Sequence, residues 1–246
     1  MRHIRRNERG QLTIGGHIAV DLAERFGTPL YVYSGDGLVA HYAAFASAVS
    51  ELDCVVHYAV KANSSLGVLG LLAQQGAGAD IVSGGEMKRA LIAGIAPNKI
   101  VFSGVGKTDD EIRAALQAGI AQINVESATE LRHISQIAAE TERQAPVALR
   151  VNVNVDPGSH AKISTGQRAT KFGIPVADGE AAMLYRQLCS DPNLIPRGLA
   201  VHIGSQLRKL DPFERAYQEL LALADMLRAE GLDVPMLDLG GGLGVD

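Results

Sequence analysis

Ile100-Val101-Phe102-Ser103, then Gly104-Val105-Gly106-Lys107-Thr108-Asp109-Asp110-Glu111, then Ala118-Gly119-Ile120, then Gln122-Ile123-Asn124-Val125-Glu126: this stretch spells one complete strand–helix–strand unit. The first run is apolar, of strand length, and closed by a glycine turn. Thr108 followed three residues later by Glu111 fits a capping box, in which the two side chains satisfy free N–H groups at the start of a helix. Gly119, just past the last apolar turn, reads as the helix stop. The last run is again a strand. Two strands joined through one helix lie parallel, because the helix must cross back over the sheet.

The same grammar extends in both directions. Strand-like runs stand at Leu30–Tyr33, Val55–Val60, Ala79–Ser83, Ile100–Ser103, Gln122–Glu126, Val147–Val153, Leu199–Ile203 and Met236–Leu239. Ser127-Ala128-Thr129-Glu130 repeats the capping box, Asp211-Pro212 sets a cap before a proline at the first helical position, and Ala93-Gly94-Ile95 repeats the glycine stop. About eight alternating strands predict a (β/α)8 TIM-like barrel, with an open doubly wound sheet as the alternative. The barrel is expected over residues 29–246, after an N-terminal segment, residues 1–28, with a short strand at Gln11–Ile14 and a helix around Val20–Phe26. The eighth strand ends so near Asp246 that the barrel is expected to be incomplete after it.

Composition narrows the function. The chain has 246 residues, 47% of them hydrophobic, and a net charge of -4. A large core is possible, and no basic surface for nucleic acid or an anionic membrane is expected. No apolar run reaches membrane-spanning length, and no apolar segment follows Arg2, Arg5, Arg6 and Arg9 to make a secretory signal. Cys54 and Cys189 form neither a disulfide framework nor a metal motif, so a cytoplasmic location is expected. The seven histidines lack zinc spacing, and no metal site is expected.

Alternation within the strands points to a site. In Val147–Val153 the Val and Leu residues take one face and Ala148, Arg150 and Asn152 the other. The same parity sets His202 apart from Val201 and Ile203, Lys61 from Val60, and Glu126 from Val125. With the apolar faces under the helices, Lys61, Glu126, Arg150 and His202 converge on the lumen. Gly240-Gly241-Gly242-Leu243-Gly244 follows the eighth strand, where barrels bind phosphate, and Ser205 could add a hydroxyl. The dinucleotide fingerprint fails there, because Val245 stands where its last glycine should be. Gly104–Thr108 imitates a P-loop but has Val101 in place of the first glycine, so it reads as a turn and a helix cap. Asp80 and Glu86 flank the third strand's end. Residues 156–173 are too long for an ordinary connection and read as a lid or binding loop on the chemical face.

In order along the chain, Tyr58-Ala59-Val60-Lys61-Ala62-Asn63, Ser83-Gly84-Gly85-Glu86, His202-Ile203-Gly204-Ser205-Gln206 and Gly240-Gly241-Gly242 resemble the motifs of the alanine-racemase-fold pyridoxal-phosphate decarboxylases. Ile163-Ser164-Thr165-Gly166 and Lys171-Phe172-Gly173-Ile174 resemble the loop of the diaminopimelate-decarboxylating branch. The resemblance implies pyridoxal 5'-phosphate as cofactor, an amino acid as substrate and a homodimer in the full-length form. It implies that Lys61 binds the cofactor covalently, that His202 stacks on its ring, and that Arg150 lies near its phenolic oxygen. Ser205 and Gly240, Gly241 and Gly242 would hold the phosphate, with Asp80 and Glu86 in support; Lys61 and His202 are the catalytic candidates. Decarboxylation of meso-diaminopimelate is the first reading; ornithine, arginine or carboxynorspermidine decarboxylation, racemisation and simple cofactor carriage are the alternatives. Members of this family continue into a β-rich domain bearing a Glu-Pro-Gly-Arg segment, which has no counterpart here, so the isolated chain is expected to have little activity.

Overall fold

The computed structural model describes residues 3–156 and 172–245. The chain divides into two units, Met1–Asp80 with Gly85–Ile100, and Ile81–Gly84 with Val101–Asp246.

The first unit opens with a three-stranded antiparallel sheet, β1 (Ile4–Arg6), β2 (Leu12–Ile14) and β3 (His17–Ile18), followed by α1 (Ala19–Phe26). Then come α2 (Gly35–Ala48), β4 (His57–Ala59), α3 (Leu66–Gln74), β5 (Gly78–Ile81) and α4 (Gly84–Ile92). β4 and β5 are parallel, with Ala59 level with Asp80. Val68, Leu72 and Ala77 form a buried cluster against Leu38, Tyr42 and Tyr58, so α2 and α3 bury their apolar faces together. The strand expected at Leu30–Tyr33 does not form: its residues lie outside any ladder, and Tyr31 is 86% exposed. Aromatic and branched residues favour a pleated surface only where a neighbouring strand supplies one.

The second unit runs β6 (Ile100–Phe102), α5 (Asp109–Ala118), β7 (Gln122–Val125), α6 (Ala128–Glu140), β8 (Ala145–Asn152), β9 (Ile174–Pro175), α7 (Glu180–Ser190), β10 (Leu194–Val201), α8 (Asp211–Ala229) and β11 (Met236–Asp238). Its strands pair in parallel as β6–β7–β8–β10–β11, with β9 beside the end of β8. The Thr108 capping box forms as expected, and Gly119 closes α5 in the left-handed conformation. The second box is split. Ser127 Oγ accepts the Glu130 N–H, but the Glu130 carboxylate turns away to the Glu126 N–H and Lys107. The α8 cap is also corrected: Leu210 stands at the N-cap without a side-chain bond, and Asp211 is already helical.

Each helix of this unit buries one stripe, such as Ile112, Ala115 and Leu116 on α5 or Leu131, Ile134, Ile137 and Ala138 on α6. Burial of each large aliphatic side chain contributes roughly 1.5–3 kcal/mol. The sheet beneath them curls. Asn124 Nδ2 on β7 donates to Asp238 Oδ2 on β11 at 2.9 Å, although β8 and β10 lie between those strands. Three flat inter-strand steps of about 4.8 Å would separate them by roughly 14 Å. Only a barrel-like curl brings the two side chains together, and it identifies the inner face. The open doubly wound sheet is thereby excluded for this unit.

Candidate functional site

The inner face of the second unit carries a connected polar network. Arg150 on β8 donates from Nη1 to Glu126 Oε1, just past β7, at 2.8 Å, with side chains only 10% and 3% exposed. Glu126 Oε2 accepts the Gly173 N–H at 3.3 Å, and the guanidinium lies 5.1 Å from the Phe172 ring centroid. A carboxylate on one side and an aromatic face on the other hold the guanidinium in a single orientation. β10 register sets Ala200 level with both Arg150 and Asp238, and His202 follows two residues later. The expected parity of Glu126 and Arg150 therefore holds, and Asn124 and Asp238 share their face.

Asp238 joins this network to the glycine loop. One of its oxygens takes Asn124 Nδ2 and the other accepts the Gly240 N–H at 2.9 Å. The loop rests on the continuation of β10: the Leu207 N–H donates to Gly242 C=O, and the Gly244 N–H donates to Leu207 C=O, both at 2.9 Å. Gly240 (φ +66°) would place a Cβ 2.2 Å from Val201 O, and Gly242 (φ +102°) would place one 1.9 Å from Gly204 O. Both positions need the missing side chain twice over, for the backbone conformation and for the close approach. Gly241 has open space where its Cβ would be.

Among the described residues no partner takes the Gly242 N–H, and the exposed Ser205 makes no hydrogen bond. Ser205 Cα lies 3.4 Å from the Gly242 Cβ position. Backbone N–H groups and a hydroxyl around bare glycines suit phosphate oxygens. The Gly241 N–H donates to His202 Nδ1 at 3.3 Å, so the neutral imidazole carries its proton on Nε2. The donor set therefore fits a phosphorylated, planar, anionic group: a cradle for phosphate, an imidazole face, and a fixed cation.

Lys61, Asp80 and Glu86 belong to the first unit. Lys61 is exposed on a single 3-10 turn, Val60–Ala62, directly after β4. The chain leaves the extended conformation after Ala59, so strand alternation does not extend to Lys61. Asp80, half-buried, lies at the end of β5; Glu86, also half-buried, stands in the first turn of α4, where the helix dipole favours an acid. A surface cavity of about 260 Å³ in this unit is lined by Tyr42, Leu52, Cys54, Val55 and Val56 among others. It lies before β4 begins, away from the C-terminal strand ends where barrel chemistry occurs. Of the expected lid, residues 157–171 lie outside the described residues.

Strand parity sets Asn124 and Glu126 on one face without assigning either a role, and Asp238, Ser103, Lys107 and Glu130 join the site only in the structure. A signal existed for Asp238, which alternates with Leu237 and Leu239 as Arg150 does with its neighbours. None existed for Lys107.

A curled parallel sheet under helices, with a glycine cradle at its strand ends, an inward arginine and a histidine bonded to the cradle, defines an α/β-barrel domain of the cofactor-binding class. The chain belongs to the pyridoxal-dependent decarboxylases, whose pyridoxal binding domain matches residues 36–246. It is 51% identical over 238 residues to the diaminopimelate decarboxylase of Vibrio cholerae, covering 97% of this chain and 57% of that protein. The crystal structure of diaminopimelate decarboxylase from Helicobacter pylori complexed with L-lysine matches with a TM-score of 0.89 at 41% identity, covering 92% of this chain and 57% of that one. The enzyme from M. jannaschii in co-complex with L-lysine matches at 0.92 and 38% identity, over 98% of this chain and 57% of that one. These similarities establish the TIM-like α/β barrel fold, and the chain spans a little over half the length of each relative.

Proposed function

We propose that this chain is the cofactor-binding barrel of an enzyme that removes CO2 from meso-diaminopimelate to leave L-lysine. The reading is supported by the family match and the diaminopimelate decarboxylase relatives. The structural observation that carries it is the glycine cradle beside His202, with Gly240 and Gly242 seated where no side chain fits.

Pyridoxal 5'-phosphate supplies an electron sink for the pair left behind when a carboxylate departs as CO2. The chain's residues do the rest. Ser205 and the Gly240, Gly241 and Gly242 backbone would hold the phosphate, with His202, its Nδ1 tied to Gly241, beside them to hold the ring. Arg150, fixed by Glu126, would supply the positive charge for an anionic oxygen of the cofactor. Lys61 would hold the cofactor through its side-chain amine, and as a free amine its Nζ would be placed to carry a proton for the substrate. Asp80 and Glu86 act in support. How the chain's residues orient the substrate would select loss of CO2 over racemisation. The whole protein is read as a cytoplasmic homodimer acting on a free amino acid, with neither nucleic acid nor membrane as partner. The charge of -4 on this chain supports the part of that reading that concerns nucleic acid and anionic membranes. Among the described residues no helix is long and apolar enough to cross a membrane.

Titrating the protein with pyridoxal 5'-phosphate tests the site: a visible absorbance band is expected, and Lys61→Ala abolishes it. No band in either protein sinks the reading. Release of CO2 by the whole protein should be fastest from meso-diaminopimelate, and faster release from ornithine, arginine or carboxynorspermidine would overturn the substrate assignment.

A further inference from the structure

Lys107 comes from the stretch Gly104–Thr108, which imitates a nucleotide loop, and the fold uses it differently. Its side chain is 1% exposed, and Nζ donates to Gly104 C=O at 2.6 Å, to Asn124 C=O at 2.8 Å and to Glu130 Oε1 at 2.8 Å. All three ammonium protons are thus taken, while the Phe102 ring lies 5.5 Å away. A lysine loses its hydration this completely only where partners replace the water.

We infer that Lys107 is a positioning residue, one buried ammonium that sets both Arg150 and the Gly240–Gly242 loop. One arm runs through Glu130. Its Oε1 is held by Lys107 while its Oε2 accepts the Glu126 N–H at 2.7 Å, and the Glu126 carboxylate then grips Arg150 and the Gly173 N–H. The other arm runs through Asn124. Lys107 holds its carbonyl, its side-chain amide bonds Ser103 Oγ at 3.1 Å and Asp238 Oδ2 at 2.9 Å, and Asp238 accepts the Gly240 N–H. A lysine serving only to stabilise a turn would need Gly104 and the helix cap alone. Here two of its three bonds lead, each through a further pair of groups, to an atom of the site. Chains of bonds in a low dielectric reinforce one another, so loss at the root loosens both ends. What those ends hold rests on the cofactor reading above, whereas their coupling to Lys107 does not.

The test compares wild type with Lys107→Met and, because an unpaired buried carboxylate could prevent folding, with K107M/E130Q, which removes that charge. Amide hydrogen exchange, read by NMR on the ligand-free protein, is the first measurement. The Glu126, Gly173 and Gly240 amides should exchange at least about tenfold faster in either variant, the loss expected when a charge-assisted bond is removed. The β8–β10 ladder amides should change by less than about twofold, as distant groups do when sites are independent. Titration with pyridoxal 5'-phosphate should show weakening of at least about fivefold, following from the displaced cradle. If site and ladder amides accelerate by the same factor, Lys107 is only a stabilising strut and the inference is overturned. Unchanged exchange at all three site amides in a folded variant overturns it too. Should wild type itself show no pyridoxal phosphate band, the cofactor reading falls, and exchange still decides the positioning role.

Discussion

Removing Arg150 should cost far more than the Arg150–Glu126 pair contributes. At 2.8 Å, and with an effective dielectric constant of about 20, the pair attracts by roughly 6 kcal/mol. Desolvation of both ions offsets much of that, so the intact pair is worth little against an apolar pair of equal size. The single variant Arg150→Met is different. Glu126, with a side chain only 3% exposed, keeps among the described residues the Gly173 N–H at 3.3 Å and becomes an uncompensated buried charge. That costs about 3–5 kcal/mol. Glu126→Gln is milder, about 1–3 kcal/mol, because an amide turned to accept from Arg150 directs its NH2 at the Gly173 N–H. The double variant R150M/E126L removes both charges and should sit within about 2 kcal/mol of wild type. Urea unfolding followed by circular dichroism measures all three. With an m value of about 2.5 kcal/mol/M, Arg150→Met lowers the midpoint by roughly 1–2 M while the double variant recovers most of it. A double variant no more stable than Arg150→Met alone, within about 0.5 kcal/mol, would refute the argument.

Two further outcomes follow from the same structure. Gly242→Ala forces a Cβ to within 1.9 Å of Gly204 O at a φ of +102°, so thermal unfolding should show a loss of about 2–4 kcal/mol. Gly241→Ala, with nothing near its Cβ position, should stay within about 0.5 kcal/mol, and equal losses would discredit the cradle. Glu111 accepts the Gly84 N–H at 2.7 Å and the Thr108 N–H at 3.0 Å, bonds that hold its carboxyl below the usual glutamate range. A depressed folded pKa stabilises above the unfolded value, and that stability is lost as pH falls through the folded one. Stability of Glu111→Gln, measured by urea unfolding between neutral and acid pH, should therefore fall less steeply on acidification than that of wild type, and parallel profiles would remove the linkage.

Much of the fold was legible because its determinants are local. The Thr108–Glu111 box and the Gly119 stop depend on residues within one turn of each other, and both form as read. Strand parity also served wherever a strand existed, which is why Glu126 and Arg150 were placed on one face. Composition misled at Leu30–Tyr33, which has strand residues but lies outside any ladder. Parity is silent at Lys61, which follows a strand that ends at Ala59. Both depend on where a strand finds its neighbour or stops, which a single sequence does not encode locally.

By itself, then, the sequence determined the alternating elements, the helix boundaries set by capping chemistry, and the glycines and polar residues offered at the strand ends. Tertiary structure alone decided which of them meet. Asn124 reaches Asp238 only because the sheet curls, and Lys107 becomes a buried root of the network rather than a solvated loop lysine because Gly104, Asn124 and Glu130 close around it. The physical reason is range. Caps and turns are settled by dihedral preferences and bonds between near neighbours, whereas burial of a charge depends on groups far along the chain arriving to replace its water.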